Sequence, residues 1–173
     1  MDYLTDIDVV VARFDETGKA VFMDAGPPAT NYVSGAVEAS YLWGAEQTPS
    51  LPDAVGGPMA QIDFPIPGGS RFGLVCFPPY SAGKLDMRAG GQAGEVDLGT
   101  DPGMHRSDSL DYEVILKGKV DIILEGGARR TLHPGSCLIM AGVMHAWENI
   151  YDEPCIYAVV VIGANPLGTK PCP

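Results

Sequence analysis

The stretch GMHRSDSLDYEVILKGKVDIILEGGARRTLHPGSCLIMAGVMHAWEN, residues 103–149, reads as a succession of short strands separated by tight turns. Apolar runs at 111–116, 120–124, 130–132, 137–140 and 145–149 are too short for stable helices, and none carries a helical period. Between them stand Gly118-Lys119, Gly126-Gly127, Pro134-Gly135 and Ala141-Gly142. These supply the positive or fixed φ that a tight reversal requires. The pattern extends outward in both directions, to a run at 156–162 after Asp152-Glu153-Pro154 and to one at 71–77. Many short strands at this spacing predict an all-β sandwich, jelly roll or barrel.

Towards the N-terminus, runs at 7–14 and 20–23 flank Asp15-Glu16-Thr17-Gly18-Lys19 and predict a β-hairpin. Residues 24–69 are rich in Gly, Pro, Ala and Ser, with one ordered island at Tyr41-Leu42-Trp43. They read as a long excursion that covers a barrel mouth, crosses to a second subunit or is simple padding. The chain thus divides into a hairpin and extension (1–69), a barrel (70–163) and a C-terminal tail (164–173).

At 173 residues the chain suits one domain, since domains run to roughly 100–200 residues. With 46% hydrophobic and 19% charged residues, its composition is that of a globular protein. Eleven basic residues against 22 acidic ones leave a net charge of -11, which repels phosphate backbones and anionic lipid and argues against nucleic-acid or membrane partners. The start MDYLTDIDVV lacks the basic and apolar parts of a signal peptide, so a cytoplasmic protein is expected. Cys76, Cys137, Cys155 and Cys172 lack metal or redox spacing and read as free thiols. The first three look like apolar fillers, and Cys172 falls in the tail.

Two of the three histidines, His105 and His145, each begin a strand-like run, while His133 falls in a turn expected at the surface. Alternate residues of a barrel strand face inward, so His105, Ser107 and Asp111 can share an interior with His145, Trp147 and Asn149 if their strands are neighbours.

Here the sequence resembles the cupins, small single-domain members in particular, over roughly residues 70–163. The first cupin motif, Gly, His-x-His, Glu and a closing Gly, matches Gly103, His105, Ser107, Asp111 and Gly118. The second, with its Gly, Pro-x-Gly, His and Asn, matches Gly135, Met140-Ala141-Gly142, His145 and Asn149. The resemblance implies a double-stranded β-helix, a jelly-roll barrel with the hairpin as an N-terminal extension, and an interior metal site. Carried over by position, the second histidine of that site falls on Ser107, a poor ligand, and the glutamate falls on Asp111. His105, Asp111 and His145 remain as ligands for one divalent ion, Fe, Mn, Ni or Zn. The competing reading keeps the barrel without the ion and leaves both histidines as hydrogen-bonded interior groups.

Glu113, two positions from Asp111, faces inward on a regular strand and outward on a bulged one, and both readings stand. Facing inward, it becomes a proton carrier with a raised pKa, or a substitute ligand. Trp147 and Tyr157 are core or substrate platform, Asn149 orients a carbonyl or caps a strand, and Ser107 lines the site. The constellation predicts a small-molecule enzyme of the lyase or isomerase type acting on a carbonyl- or carboxylate-bearing substrate, with Glu113, Asp111 and His145 catalytic. By resemblance it would serve natural-product or degradative metabolism. An Fe(II) dioxygenase and a non-catalytic ligand-binding protein are the alternatives. Exposed sheet edges and the hairpin predict a homodimer.

Overall fold

A computed structural model describes residues 3–5, 7–26, 28, 32–52, 54–60, 62–84 and 103–166, together with the backbone of 96–98. Cys172 and most of the tail lie outside these residues. Among the described residues there is no helix, and so none long and apolar enough to cross a membrane.

Thirteen strands run in order as β1 (Val10–Phe14), β2 (Ala20–Asp24), β3 (Tyr32–Val33), β4 (Glu38–Ala45), β5 (Ser70–Phe77), β6 (Val96–Leu98), β7 (His105–Ser107), β8 (Ser109–Lys117), β9 (Val120–Leu124), β10 (Arg129–Leu132), β11 (Cys137–Ala141), β12 (His145–Glu148) and β13 (Cys155–Gly163). All pairings are antiparallel. A five-stranded sheet has the order β10-β9-β12-β7-β6 and a six-stranded sheet the order β11-β8-β13-β5-β4-β3. Val120, Ile122, Leu132 and Trp147 from the first sheet pack with Val75, Phe77, Ile115, Tyr157 and Val161 from the second in one core. This is an all-β jelly-roll barrel, one of the three architectures that the strand spacing left open and the one that the cupin resemblance implied.

Alternation is cleanest on β8, where Ser109, Asp111, Glu113 and Ile115 are buried while Tyr112, Val114 and Leu116 are exposed. The strand ends where it must turn. Gly118 has φ +67°, and a Cβ there would collide with the carbonyl of Pro154.

The reading of 24–69 as an excursion needs one correction. Glu38–Ala45 is wall, paired along its length with β5, with register shifted between Tyr41 and Trp43. It is buried on both faces. Ala39 and Tyr41 turn to the interior, while Leu42 packs outside with Leu4, Leu74 and Cys76, and Glu38 accepts hydrogen bonds from the backbone N–H groups of Tyr3 and Leu4 (2.9 and 3.1 Å). A strand covered on both sides does not alternate, which is why EASYLWGA was unreadable as barrel. The following loop is tied down by Arg71, which is 1% exposed and meets Asp63 (2.7 Å), Glu46 (2.9 Å) and the Ala45 carbonyl (3.1 Å). Trp43 Nε1 also donates to the Val55 carbonyl at 2.8 Å.

Strands β1 and β2 form the expected hairpin and, among the described residues, pair only with each other. Cys76 and Cys155 are buried free thiols, whereas Cys137, expected in the core, is exposed because its side chain falls on the outer face of β11.

Candidate active site

Between the two sheets lies a cavity of about 110 Å³. Two pairs of polar residues enter it from different walls.

The first pair belongs to the five-stranded sheet. His105 on β7 and His145 on β12 are direct cross-strand partners, with ring centroids 4.4 Å apart. Both strands are short, and each histidine is its strand's first residue, so the preceding turn reaches its ring. His105 Nδ1 meets the Gly103 carbonyl at 3.1 Å and His145 Nδ1 meets the Val143 carbonyl at 2.9 Å. A carbonyl only accepts, so each Nδ1 carries the proton and each Nε2 keeps its lone pair. Burial holds both imidazoles neutral: it lowers His105, and together with its neighbour His105 it brings His145 down to about 3.

The second pair belongs to the six-stranded sheet. Asp111 and Glu113 occupy alternate positions of β8, whose register with β11 and β13 is continuous from Ser109 to Val114. No bulge intervenes, so Glu113 faces inward. Both carboxyls line the cavity, and Asp111 Oδ1 and Glu113 Oε2 are buried without a hydrogen-bond partner. Burial raises Asp111 to about 6, opposed by a hydrogen bond from Ser109. Burial and the adjacent Asp111 raise Glu113 to about 8. Ser109 is itself held by Ser107, Oγ to Oγ, at 2.7 Å.

The remaining lining is mostly aromatic and aliphatic. Trp147 stacks on Tyr157 (5.2 Å, 17°) and on Phe77 (5.8 Å, 27°), and meets His145 edge-on at 6.3 Å. Tyr41 joins the acidic wall. Burial raises its hydroxyl pKa, with Asp111 the largest charge acting on it. Ile62 and Phe64, from the loop before β5, also face the cavity, so part of 24–69 does cover the barrel interior.

The structure therefore brings together His105, His145, Asp111, Glu113, Ser107, Trp147 and Tyr157. Asn149 is not among them. It is fully buried beneath a turn, where Nδ2 donates to the carbonyls of Phe77 and Glu153 and Oδ1 accepts from the Tyr151 N–H, each at 2.9 Å. It is a staple of the β12–β13 connection, the strand-capping alternative. Tyr41 and Phe77 were missed, although each lies in a run that the sequence marked as ordered.

The metal set expected from the resemblance is only partly assembled. The two Nε2 lone pairs, fixed by their Nδ1 hydrogen bonds, suit an ion. Among the described residues, however, no three His, Cys, Asp or Glu side chains gather closely enough to hold one. The donors present are a nitrogen pair on one wall, short of the three-ligand set that Asp111 would complete.

No family model matches the chain. The phomopsin biosynthesis cluster protein C′ of Diaporthe leptostromiformis is 33% identical over 84 residues, covering 49% of this chain and 34% of that protein. The cupin-domain-containing oxidoreductase fogC of Aspergillus ruber is 31% identical over 68 residues, covering 38% and 34%. The chain thus spans about a third of the length of these curated relatives. Among solved structures, a Klebsiella pneumoniae protein with a double-stranded β-helix domain superposes with TM-score 0.49 at 14% identity over 79% of this chain and 84% of that one. The Schizosaccharomyces pombe Cnp3 cupin domain superposes with TM-score 0.47 at 10% identity, covering 90% and 87%.

Proposed function

We propose that this chain, a cupin-superfamily protein by fold, is an enzyme that moves protons on a small carbonyl compound held in its barrel, with lyase or isomerase chemistry. One observation carries the reading: two inward carboxyls on β8, each with a buried unpartnered oxygen, facing a cavity that also holds two neutral imidazoles. Unpaired buried oxygens are costly, and a bound substrate would satisfy them.

The environments of the two acids divide the labour. With the pair titrating at about 6 and about 8, Asp111 is mainly ionised near pH 7 and Glu113 mainly protonated. Asp111 takes a proton from the carbon beside the substrate carbonyl, and the Glu113 carboxylic acid donates to the carbonyl oxygen as its charge develops. The product is an enol. Returning the proton at another carbon completes an isomerisation; alternatively Asp111 gives its proton to a neighbouring hydroxyl, which leaves as water while the enol O–H returns its proton to Glu113, completing a dehydration. His145, neutral down to about pH 3, is too weak a base for the first step. It and His105 instead accept hydrogen bonds from substrate hydroxyls at Nε2 and orient the substrate.

No step in this scheme passes through a metal. Ligation would rest on His105 and His145, and a bound ion would supply Lewis-acid polarisation. Similarity to proteins of the phomopsin and oryzines biosynthesis clusters supports a place in natural-product metabolism.

The test is exchange of α-protons into deuterated water, followed by proton NMR on aryl methyl ketones. Wild type is expected to catalyse exchange, and Asp111→Asn and Glu113→Gln to lose it at least a hundredfold. Exchange that survives both substitutions would sink the proposal. A redox reading is favoured by the relatives named oxidoreductases, and the Fe(II) dioxygenase belongs to it. Substrate-dependent oxygen uptake that requires added Fe(II) and is lost in His145→Ala would select it.

A further inference from the structure

We infer that the cavity takes a neutral, planar, single-ring compound with a hydroxyl on one edge and a carbonyl on the opposite edge. This deepens the acid–base reading, on which it rests for the identity of the reacting wall.

Size comes first. The cavity measures about 110 Å³. A dry protein cavity of about 150 Å³ accepts benzene, so this smaller interior takes at most one ring and no fused ring system. Shape follows from the aromatic cluster. Phe77, Trp147 and Tyr157 all line the cavity and lie within 27°, 21° and 17° of parallel to one another, so the aromatic part of its wall has one common orientation. A flat ring stacks against such a wall, whereas a puckered one of equal volume touches it only at a few atoms.

Polarity sets the substituents. On the five-stranded sheet the two imidazole Nε2 atoms can only accept, which calls for a hydroxyl on the ligand. On β8 the unpartnered Glu113 Oε2 and Asp111 Oδ1 call for an oxygen that receives a proton and a hydrogen that can be shared. The ligand therefore presents a donor to one wall and an acceptor to the other.

Charge excludes the carboxylate that the sequence left open. Among the described residues lining the cavity there is no lysine or arginine. Arg71 lies outside the lining and is already paired with Asp63 and Glu46. An anionic ligand would be buried beside two acids without a counter-ion.

Calorimetric titration of the full chain at pH 6.5 with three near-isosteric probes tests the inference without requiring turnover. They are 4-hydroxyacetophenone, 4-hydroxybenzoate and 4-acetylcyclohexanol. The first is expected to bind at least tenfold more tightly than either of the others. Trp147→Leu, and Phe77→Leu if the former does not fold, should remove the preference over 4-acetylcyclohexanol. Equal or tighter binding of 4-hydroxybenzoate would overturn the neutral class, equal binding of 4-acetylcyclohexanol would overturn planarity, and no binding by any probe would overturn the whole inference. If the planar preference holds while proton exchange is insensitive to Asp111 and Glu113, the acid–base proposal fails and the ligand class stands.

Discussion

Replacing Glu113 by Gln should make the protein less sensitive to alkaline pH, because Glu113 is an acid buried without a counter-charge. Glu113 is 5% exposed, and its pKa is raised from 4.5 to about 8 by burial and by Asp111. A carboxyl whose folded-state pKa is raised binds its proton more tightly when native. Its contribution is therefore fully present below the unfolded-state pKa and is lost as pH rises towards the folded-state value. Between pH 5 and pH 9 this loss amounts to about 4 kcal/mol. Gln cannot ionise, so the variant escapes it. The two histidines act in the opposite direction, because their lowered pKa values weaken the fold as pH falls through the unfolded imidazole value near 6.5. Wild type and variant share that term, and it cancels in their difference. Urea denaturation at pH 5, 7 and 9 measures the comparison, with wild type losing several kcal/mol relative to Glu113→Gln across the series. Parallel curves, within about 1 kcal/mol at every pH, would refute the picture of an acid buried without a counter-charge.

Asn149→Ala removes three hydrogen bonds from a fully buried site and leaves two carbonyls and one N–H unpaired, so a loss of about 2–4 kcal/mol is expected in urea denaturation. Because Asn149 does not line the cavity, affinity for 4-hydroxyacetophenone should be unchanged in the folded variant. Added Ni²⁺ should raise the thermal midpoint of the wild type and of Asp111→Asn but not of His145→Ala, since the prepared donors are the two imidazoles. Loss of that shift in Asp111→Asn would restore the three-ligand site. The homodimer expected from the sequence has a surface to form on. Ile139, Tyr112, Val160 and Phe72 align in one row across four strands of the outer sheet face, and Ile139 is 69% exposed. Ile139→Glu should therefore convert a dimer to a monomer in sedimentation.

From the sequence alone came the all-β class, the hairpin, most strand positions after residue 70 and the histidine and acidic residues of the candidate site. These follow from turn chemistry and from a period of two along strands exposed on one face. β8 shows the limit of that period, since its outward Tyr112, Val114 and Leu116 are apolar and its inward Asp111 and Glu113 are acids, so alternation located the strand without saying which face lay inside. The tertiary structure decided what local pattern cannot encode. It placed Glu38–Ala45 inside the wall, because a strand buried on both faces loses its alternation. It turned Glu113 inward, because bulges depend on the register of both neighbouring strands. It withdrew Asn149 from the cavity, because its partners are the Phe77 carbonyl, 72 residues away, and two backbone groups of the turn that covers it. It also set the two imidazoles on one sheet and the two carboxyls on the other. Chain order brings these four residues to a common interior, but only the packing of the sheets fixes which of them touch.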